Sequence, residues 1–281
     1  MKLNNGVEMP GIGLGAAIVP KDLIKGRAAA ADQKRIYEYA MERGCHLFDT
    51  SSAYGRNEDI LGNVILKKKN REKQFLMVKI SNREQREKDI PGAVDAALRR
   101  LRTDYIDLLL LHWPQTETYV DSWISMEKLY HAGKARALGV SNFHEHHLDR
   151  LAEASELVPA IDQIEIHPLF TQKPLIERCR QRGIQVVSYS PLGRMHDVLI
   201  KAKPLRELSQ KYRKSVPQII LRWNIQLGIV PIPRTTNPKH FDEFMNIFDF
   251  CLTDEEMLRI DGLNENIRLR FNPDTCDFSI L

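Results

Sequence analysis

Cysteine is scarce in this 281-residue sequence: only Cys45, Cys179, Cys251 and Cys276 occur, far apart and in no Cys-x-x-Cys pair. That argues against a disulfide framework or a structural zinc centre, and the thiols are expected to be reduced, most of them packed in the interior. No apolar stretch approaches the roughly 18 residues that a membrane span needs. The first residues, Met1-Lys2-Leu3-Asn4-Asn5-Gly6, carry no apolar signal core, so a cytoplasmic location without a membrane partner is expected. A charge excess of one sign is missing as well. Lys and Arg number 41 against 37 Asp and Glu, a net +4, and the basic clusters Lys67-Lys68-Lys69 and Arg99-Arg100 have acids nearby. Solvated helix faces account for that pattern, and no nucleic-acid partner is expected. Also absent is the Gly-x-Gly-x-x-Gly of doubly wound dinucleotide folds, because Gly11-Ile12-Gly13-Leu14-Gly15 has the wrong spacing.

Alternation is what the sequence does have. Short apolar runs read as buried strands at 12–14, 47–48, 75–78, 106–111, 135–140, 161–166, 186–189 and 229–232. Helical periodicity falls between them at 33–43, 58–67, 90–101, 122–132 and 146–154. Strands this apolar, separated by helices, form a parallel sheet covered on its outer face, and eight such units predict closure into a (β/α)8 TIM barrel. No linker or shift in composition divides the chain, so residues 1–281 are expected to make one domain. Asn4-Asn5-Gly6 predicts an N-terminal hairpin across the barrel floor. Two extra helices are predicted, at 205–212 ahead of a helix at 217–226, and at 254–263, where Thr253 and Glu256 have capping-box spacing. The tail 268–281 reads as an irregular flap.

Chemistry-bearing side chains sit at the ends of the first strands. Asp49, Lys79 and His112 end three apolar runs, and Tyr54 follows the first of them. The C-terminal ends of barrel strands are where this architecture keeps its active sites. A phenol there can hand a proton to a carbonyl oxygen, although a free phenol, titrating near pH ~10, is a weak acid. An ammonium beside it, from Lys79, is expected to lower that pKa, with Asp49 holding the ammonium in place. A neutral His112 would orient the carbonyl.

The segment Phe48-Asp49-Thr50-Ser51-Ser52-Ala53-Tyr54-Gly55-Arg56-Asn57-Glu58 resembles the first signature of the aldo-keto reductases. Leu111-His112-Trp113-Pro114, Gly139-Val140-Ser141-Asn142-Phe143, Asp162-Gln163-Ile164-Glu165-Ile166-His167-Pro168, Tyr189-Ser190-Pro191-Leu192-Gly193 and Ile232-Pro233-Arg234-Thr235 continue the resemblance in order. The short segments after His112 and Gly193 are most similar to the compact microbial branch, which includes diketogluconate reductases. The resemblance implies reduction of an aldehyde or ketone to an alcohol by hydride transfer from NADPH. Tyr54 would be the general acid, with Lys79, Asp49 and His112 in support, and Tyr54, His112 and Trp113 would meet a small carbonyl substrate. It further implies that Ser141, Asn142 and Gln163 hold the nicotinamide carboxamide and that Tyr189 stacks on the ring. Ser190 and Leu192 would lie against the pyrophosphate, and Gly15 and Asp49 near the ribose. Arg234, Thr235, Asn237 and His240 would receive the 2′-phosphate. A monomer is expected, and a non-catalytic cofactor-binding member of the same fold is the alternative reading.

Three departures matter. His240 stands where the family usually has an arginine, and an imidazole grips phosphate less firmly than a guanidinium, so NADH is expected to be tolerated beside NADPH. Ala17 and Ser81 stand where tryptophans are common, which predicts a wide substrate mouth. His144-Glu145-His146-His147 looks like a metal-binding run. Residues two apart do not share a helix face, however, so no metal site is expected there.

Overall fold

In the computed structural model, which describes residues 1–20 and 23–280, eight strands join one parallel sheet in chain order. They are β1 (Leu14–Gly15), β2 (Leu47–Ser51), β3 (Phe75–Ile80), β4 (Leu108–Leu111), β5 (Leu138–Ser141), β6 (Ile161–Glu165), β7 (Gln185–Tyr189) and β8 (Val230–Ile232). The amides of Gly13 and Gly15 donate to the carbonyls of Pro231 (3.2 Å) and Pro233 (2.9 Å), which seats the end of β8 beside β1 and closes the cylinder. The expected (β/α)8 barrel is the observed fold.

The Leu108-Leu109-Leu110-Leu111 run of β4 shows why these strands carry no polar alternation. Leu108 and Leu110 point into the barrel with Leu47, Met77, Val187 and Val230, while Leu109 and Leu111 point out into the helical layer. Both faces are dry, so both must be apolar. The N-terminal hairpin seals the floor as expected. Gly6, at φ 88°, makes the turn, Lys2 bridges Glu8, and Leu3 and Met9 pack under the interior leucines.

The helices are α1 (Leu23–Glu42), α2 (Asn57–Lys68), α3 (Asn82–Glu87), α4 (Ile90–Leu101), α5 (Tyr119–His131), α6 (Glu145–Ala154), α7 (Lys173–Gln181), α8 (Asp197–Lys201), α9 (Lys203–Tyr212), α10 (Val216–Gln226), α11 (Pro238–Met245) and α12 (Asp254–Asp261). The predicted extra helices are α9 and α12, and the Thr253–Glu256 capping box is formed. Helix α1 starts ten residues before the predicted 33, because Ala28-Ala29-Ala30-Ala31 favours helix without displaying an apolar stripe. Helices α3, α7, α8 and α11 had no counterpart in the periodicity; α3 and α8 are too short for one, α7 buries only Ile176 and Cys179, and α11 only Phe241 and Phe244. The thiols are free, but only Cys45 and Cys179 are buried; Cys251 is exposed, a correction to the packed interior expected for most. Beyond α12 the tail lacks regular structure up to a 3₁₀ turn at Phe278–Ile280, and its last residue, Leu281, lies outside the described residues. Among the described residues no helix is long and apolar enough to cross a membrane.

Candidate active site

Parallel register delivers the strand-end residues to one rim. Asp49 is the third residue of β2, and Ser51 pairs with Lys79 of β3. His112 follows β4 directly, its amide donating to Ile80 O (3.1 Å). Tyr54 ends a 3₁₀ turn after β2, and its carbonyl accepts from Val19 N (3.1 Å). The next residue, Gly55, has φ 71° and lies so close to the Val19 carbonyl that a Cβ would stand 1.8 Å from that oxygen. Only glycine fits there, and the tight approach fixes the loop that carries the phenol.

The four predicted residues meet. Lys79, 2 % exposed, forms an ion pair with Asp49, and its Nζ lies 5.4 Å from the centre of the Tyr54 ring. Tyr54 Oη is 3.3 Å from His112 Nε2, and the two rings meet edge-on. Burial pushes Asp49 up and Lys79 down, each towards its neutral form, and their mutual attraction opposes this. Burial, then the charges of Lys79 and Arg270, hold His112 well below its ordinary range, so the imidazole is neutral.

Two electrostatic details correct the sequence expectation. Tyr54 is half-buried as a residue, but its hydroxyl lies deep. Burial and then the Asp49 charge raise its pKa well above the ordinary phenol value, with Arg270 and Arg234 acting in the opposite direction. The Lys79 ammonium, tied to Asp49, does not outweigh these effects. The second detail concerns the imidazole. Ser51 Oγ donates to Lys79 O (3.0 Å), so towards His112 Nδ1, 3.5 Å away, it is left as an acceptor. That contact favours the proton on Nδ1 and leaves Nε2 to accept from Tyr54. The contact is long, so little opposes moving the proton to Nε2, where it could be donated to a carbonyl.

Around this group opens a cleft of about 770 Å³. Gly15, Asp49, Tyr54, His112, Trp113, Ser141, Asn142, Gln163, Tyr189, Ser190, Leu192 and Arg234, all predicted site residues, line it. Lys79 is buried and does not line it, and neither do Thr235, Asn237 and His240. The last three sit at the start of α11, where Asn237 accepts from Lys239 N (3.0 Å) and Thr235 from Asn237 N (3.0 Å). A smaller hollow of about 210 Å³ lies at the other end, beside the hairpin, and its charged residues, Lys2 and Arg180, stand far from the tetrad.

One side of the cleft suits a carboxamide. Gln163, 1 % exposed, has an Nε2 that makes no well-formed hydrogen bond, although it faces Asp49 closely enough to favour that carboxylate. Its neighbours are less free. Ser141 Oγ donates to Gln163 O (2.9 Å), while Asn142, in the left-handed region at φ 64°, donates to His112 O (3.0 Å) and accepts from Tyr189 Oη (2.7 Å). A nicotinamide fits this wall through Gln163 first.

The expected wide mouth needs correction. Ala17 does not line the cleft; Ala16 and Ile18 do, and Ala17 instead accepts from Asn57 Nδ2 (3.1 Å) through its carbonyl. Ser81 does line it, while capping α3. The tail folds over the opening, with Phe271 and Phe278 packing on Trp113 at ring-centre distances of 6.5 and 6.4 Å. Sequence reasoning missed Asn82 and Arg270, which also line the cleft. Asn82 follows the strand-end Ser81, so position alone was the available signal; Arg270 lay in a tail without pattern.

His144 and His146 do come together, through a third group rather than a helix face. His144 Nδ1 donates to Asp274 in the tail (2.8 Å), Arg268 donates to His144 Nε2 (3.2 Å), and His146 Nε2 lies 3.5 Å from Asp274. Ligand-type atoms of His146, His147 and Asp274 lie within 4.8 Å of one another. The contacts fasten the tail to α6. Burial, helped by His146, pushes His147 down to about 4. The unfolded chain therefore takes up a proton near pH ~6.5 that the folded chain refuses. Stability present above that pH is expected to fall as pH drops from 6.5 towards 4, at up to about 1.4 kcal/mol per unit from this residue. Urea midpoints at pH 7.5 and 5 check it: His147→Gln should flatten the slope, and an unchanged slope would contradict the assignment.

The aldo/keto reductase family profile matches residues 11–265. The chain belongs to the aldo/keto reductase family. Across 280 residues it is 41 % identical to the glyoxal reductase of Bacillus subtilis (strain 168), covering 99 % of this chain and 97 % of that one. It is 37 % identical over 273 residues to the 9,11-endoperoxide prostaglandin H2 reductase of Trypanosoma cruzi (strain CL Brener), covering 97 % and 94 %. Among solved structures, the Bombyx mori aldo-keto reductase in complex with NADP superposes with a TM-score of 0.87 at 32 % identity, over 98 % of this chain and 95 % of that one. Family membership, together with relatives named as reductases, makes this chain an oxidoreductase of carbonyl compounds.

Proposed function

We propose that this reductase converts small aldehydes or ketones to alcohols with NADPH, and that Tyr54 supplies the proton. The observation that carries the reading is the Tyr54 hydroxyl 3.3 Å from a neutral His112, beside the buried Lys79–Asp49 pair. When bound, NADPH supplies the hydride, which adds to the carbonyl carbon. Tyr54 gives its proton to the oxygen as charge develops there, and the alcohol and NADP⁺ result. A phenol whose pKa is raised by burial stays protonated until that oxygen becomes basic enough to take the proton. The neutral imidazole of His112, carrying its proton on Nε2, donates to the same oxygen and fixes its direction. Lys79 provides positive charge close to the phenolate that forms, and Asp49 keeps the ammonium in place. Trp113, backed by the tail aromatics packed on it, covers one side of the cleft.

Gln163 is the group best placed to hold the carboxamide, with Ser141 and Asn142 joining once their internal hydrogen bonds rearrange. Tyr189 offers its face to the ring, and Gly15, Ser190 and Leu192 line the path towards the pyrophosphate. Arg234 is assigned to the 2′-phosphate, with Thr235, Asn237 and the exposed His240 around it. A charge-assisted guanidinium–phosphate contact is worth about 10- to 100-fold. NADPH should therefore exceed NADH in kcat/KM, and Arg234→Ala should remove most of that margin, chiefly through the KM for NADPH. Steady-state kinetics with both cofactors decide it, and a wild-type preference for NADH would contradict the assignment.

A further inference from the structure

Three guanidinium groups border the cleft, Arg194, Arg234 and Arg270, and no ion pair joins any of them to a carboxylate among the described residues. The acid that lines the cleft, Asp49, is held by Lys79. Arg194 lies on the exposed turn after β7, and Arg234 is assigned to the cofactor phosphate. Arg270 is different. Its backbone is fastened at the end of β6: Glu165, 1 % exposed and 3.1 Å from His167 Nε2, accepts from both Leu269 N (2.8 Å) and Arg270 N (3.0 Å). The tail is therefore anchored where this side chain overhangs the cleft, and its charge is felt at both Tyr54 and His112. Asn82 lines the same cleft. It is 1 % exposed, and neither its Oδ1 nor its Nδ2 has a hydrogen-bond partner. Buried amides rarely stay unmatched, and on the wall of a cleft a bound polar group can complete this one.

We propose that the substrate is an anionic, oxygen-rich carbonyl compound. Its carboxylate or phosphate pairs with Arg270, and a hydroxyl or second oxo oxygen near the reacting carbonyl meets the Asn82 amide. This inference rests on the carbonyl reduction at Tyr54 proposed above and narrows its substrate class. Arginine binds both carboxylate and phosphate through paired donors, so the chemistry is shared between the two anions.

The test compares matched substrates: succinic semialdehyde against butanal for carboxylate, glyceraldehyde phosphate against glyceraldehyde for phosphate, and glyceraldehyde against propanal for the hydroxyl. The charged member of at least one pair should be favoured by about 10- to 100-fold in kcat/KM, the worth of one charge-assisted contact. Arg270→Gln, a change at an exposed side chain, should abolish that preference through KM while leaving the KM for neutral substrates and for NADPH unchanged; any change its charge makes at Tyr54 and His112 falls on kcat for charged and neutral substrates alike. Asn82→Ala should lower kcat/KM for glyceraldehyde and not for propanal. The absence of any anionic preference, or its persistence in Arg270→Gln, would overturn the proposal. So would a raised KM for NADPH in that variant, which would give Arg270 to the cofactor. Succinate and inorganic phosphate binding to the enzyme–NADP⁺ complex, followed by tryptophan fluorescence and weakened by Arg270→Gln, reads the subsite without turnover. Tyr54-dependent reduction of butanal reads the reaction without the subsite, so the two ideas can fail separately.

Discussion

Replacing Tyr54 by Phe is expected to lower kcat by about 10²- to 10⁴-fold, the usual contribution of a positioned acid. The ring would keep its edge-on contact with His112, where the centres are 5.6 Å apart, so packing is retained and only the hydroxyl is lost. His112 remains as a donor to the carbonyl oxygen but, being neutral and held well below its ordinary pKa, cannot replace the missing proton. The dissociation constant of NADPH should be unchanged, because the cofactor wall proposed above, on Gln163, Tyr189 and Arg234, does not use the phenol. Steady-state rates with a fixed carbonyl, beside fluorescence titration of NADPH, separate the two effects. A variant that lost cofactor binding rather than turnover would show that Tyr54 positions and does not donate.

Breaking the ion pair beneath the phenol should cost both activity and stability. Lys79→Met leaves the Asp49 carboxylate, 5 % exposed, without its cation. Removing one partner of a buried pair typically costs about 3–5 kcal/mol. Burial already raises the Asp49 pKa, and without the ammonium the carboxyl will hold its proton more firmly still. A raised carboxyl pKa penalises folding at pH above the unfolded value, so the deficit of Lys79→Met should shrink as pH falls towards ~4. Asp49→Asn combined with Lys79→Met should recover most of the stability, since no buried charge remains, while kcat stays low for want of the ammonium near Tyr54. Denaturant midpoints and kcat for the single and double variants check this. A double variant as unstable as Lys79→Met would mean that the loss comes from packing rather than charge.

The barrel was legible in the sequence because its strands are dry on both faces: runs such as Leu108–Leu111 have no other use in a chain of this length. The tetrad was legible because charged groups at the ends of such runs are conspicuous. What could not be read was how those groups act on one another. Spacing places Lys79 near Tyr54 and Asp49 beside its ammonium, but does not show that burial would dominate the phenol's pKa. Asn82 and Arg270 were hidden for another reason. Their importance lies in hydrogen-bonding groups left unmatched and in a tail pinned by Glu165, and neither is a property of neighbouring residues in the chain. Asp274, 130 positions from His144, joins the histidine run by the same kind of long-range contact.

Single-turnover reduction offers the most direct test of the central claim, that the Tyr54 hydroxyl protonates the carbonyl as hydride arrives. Enzyme loaded with NADPH deuterated at the hydride position is mixed with substrate, and the first turnover is followed by stopped flow, with product analysed for deuterium at the carbinol carbon. The wild type should give a rapid first turnover with full transfer of label. Tyr54→Phe, binding NADPH equally well, should give almost none on that timescale. Equal first-turnover rates in the two proteins would contradict it.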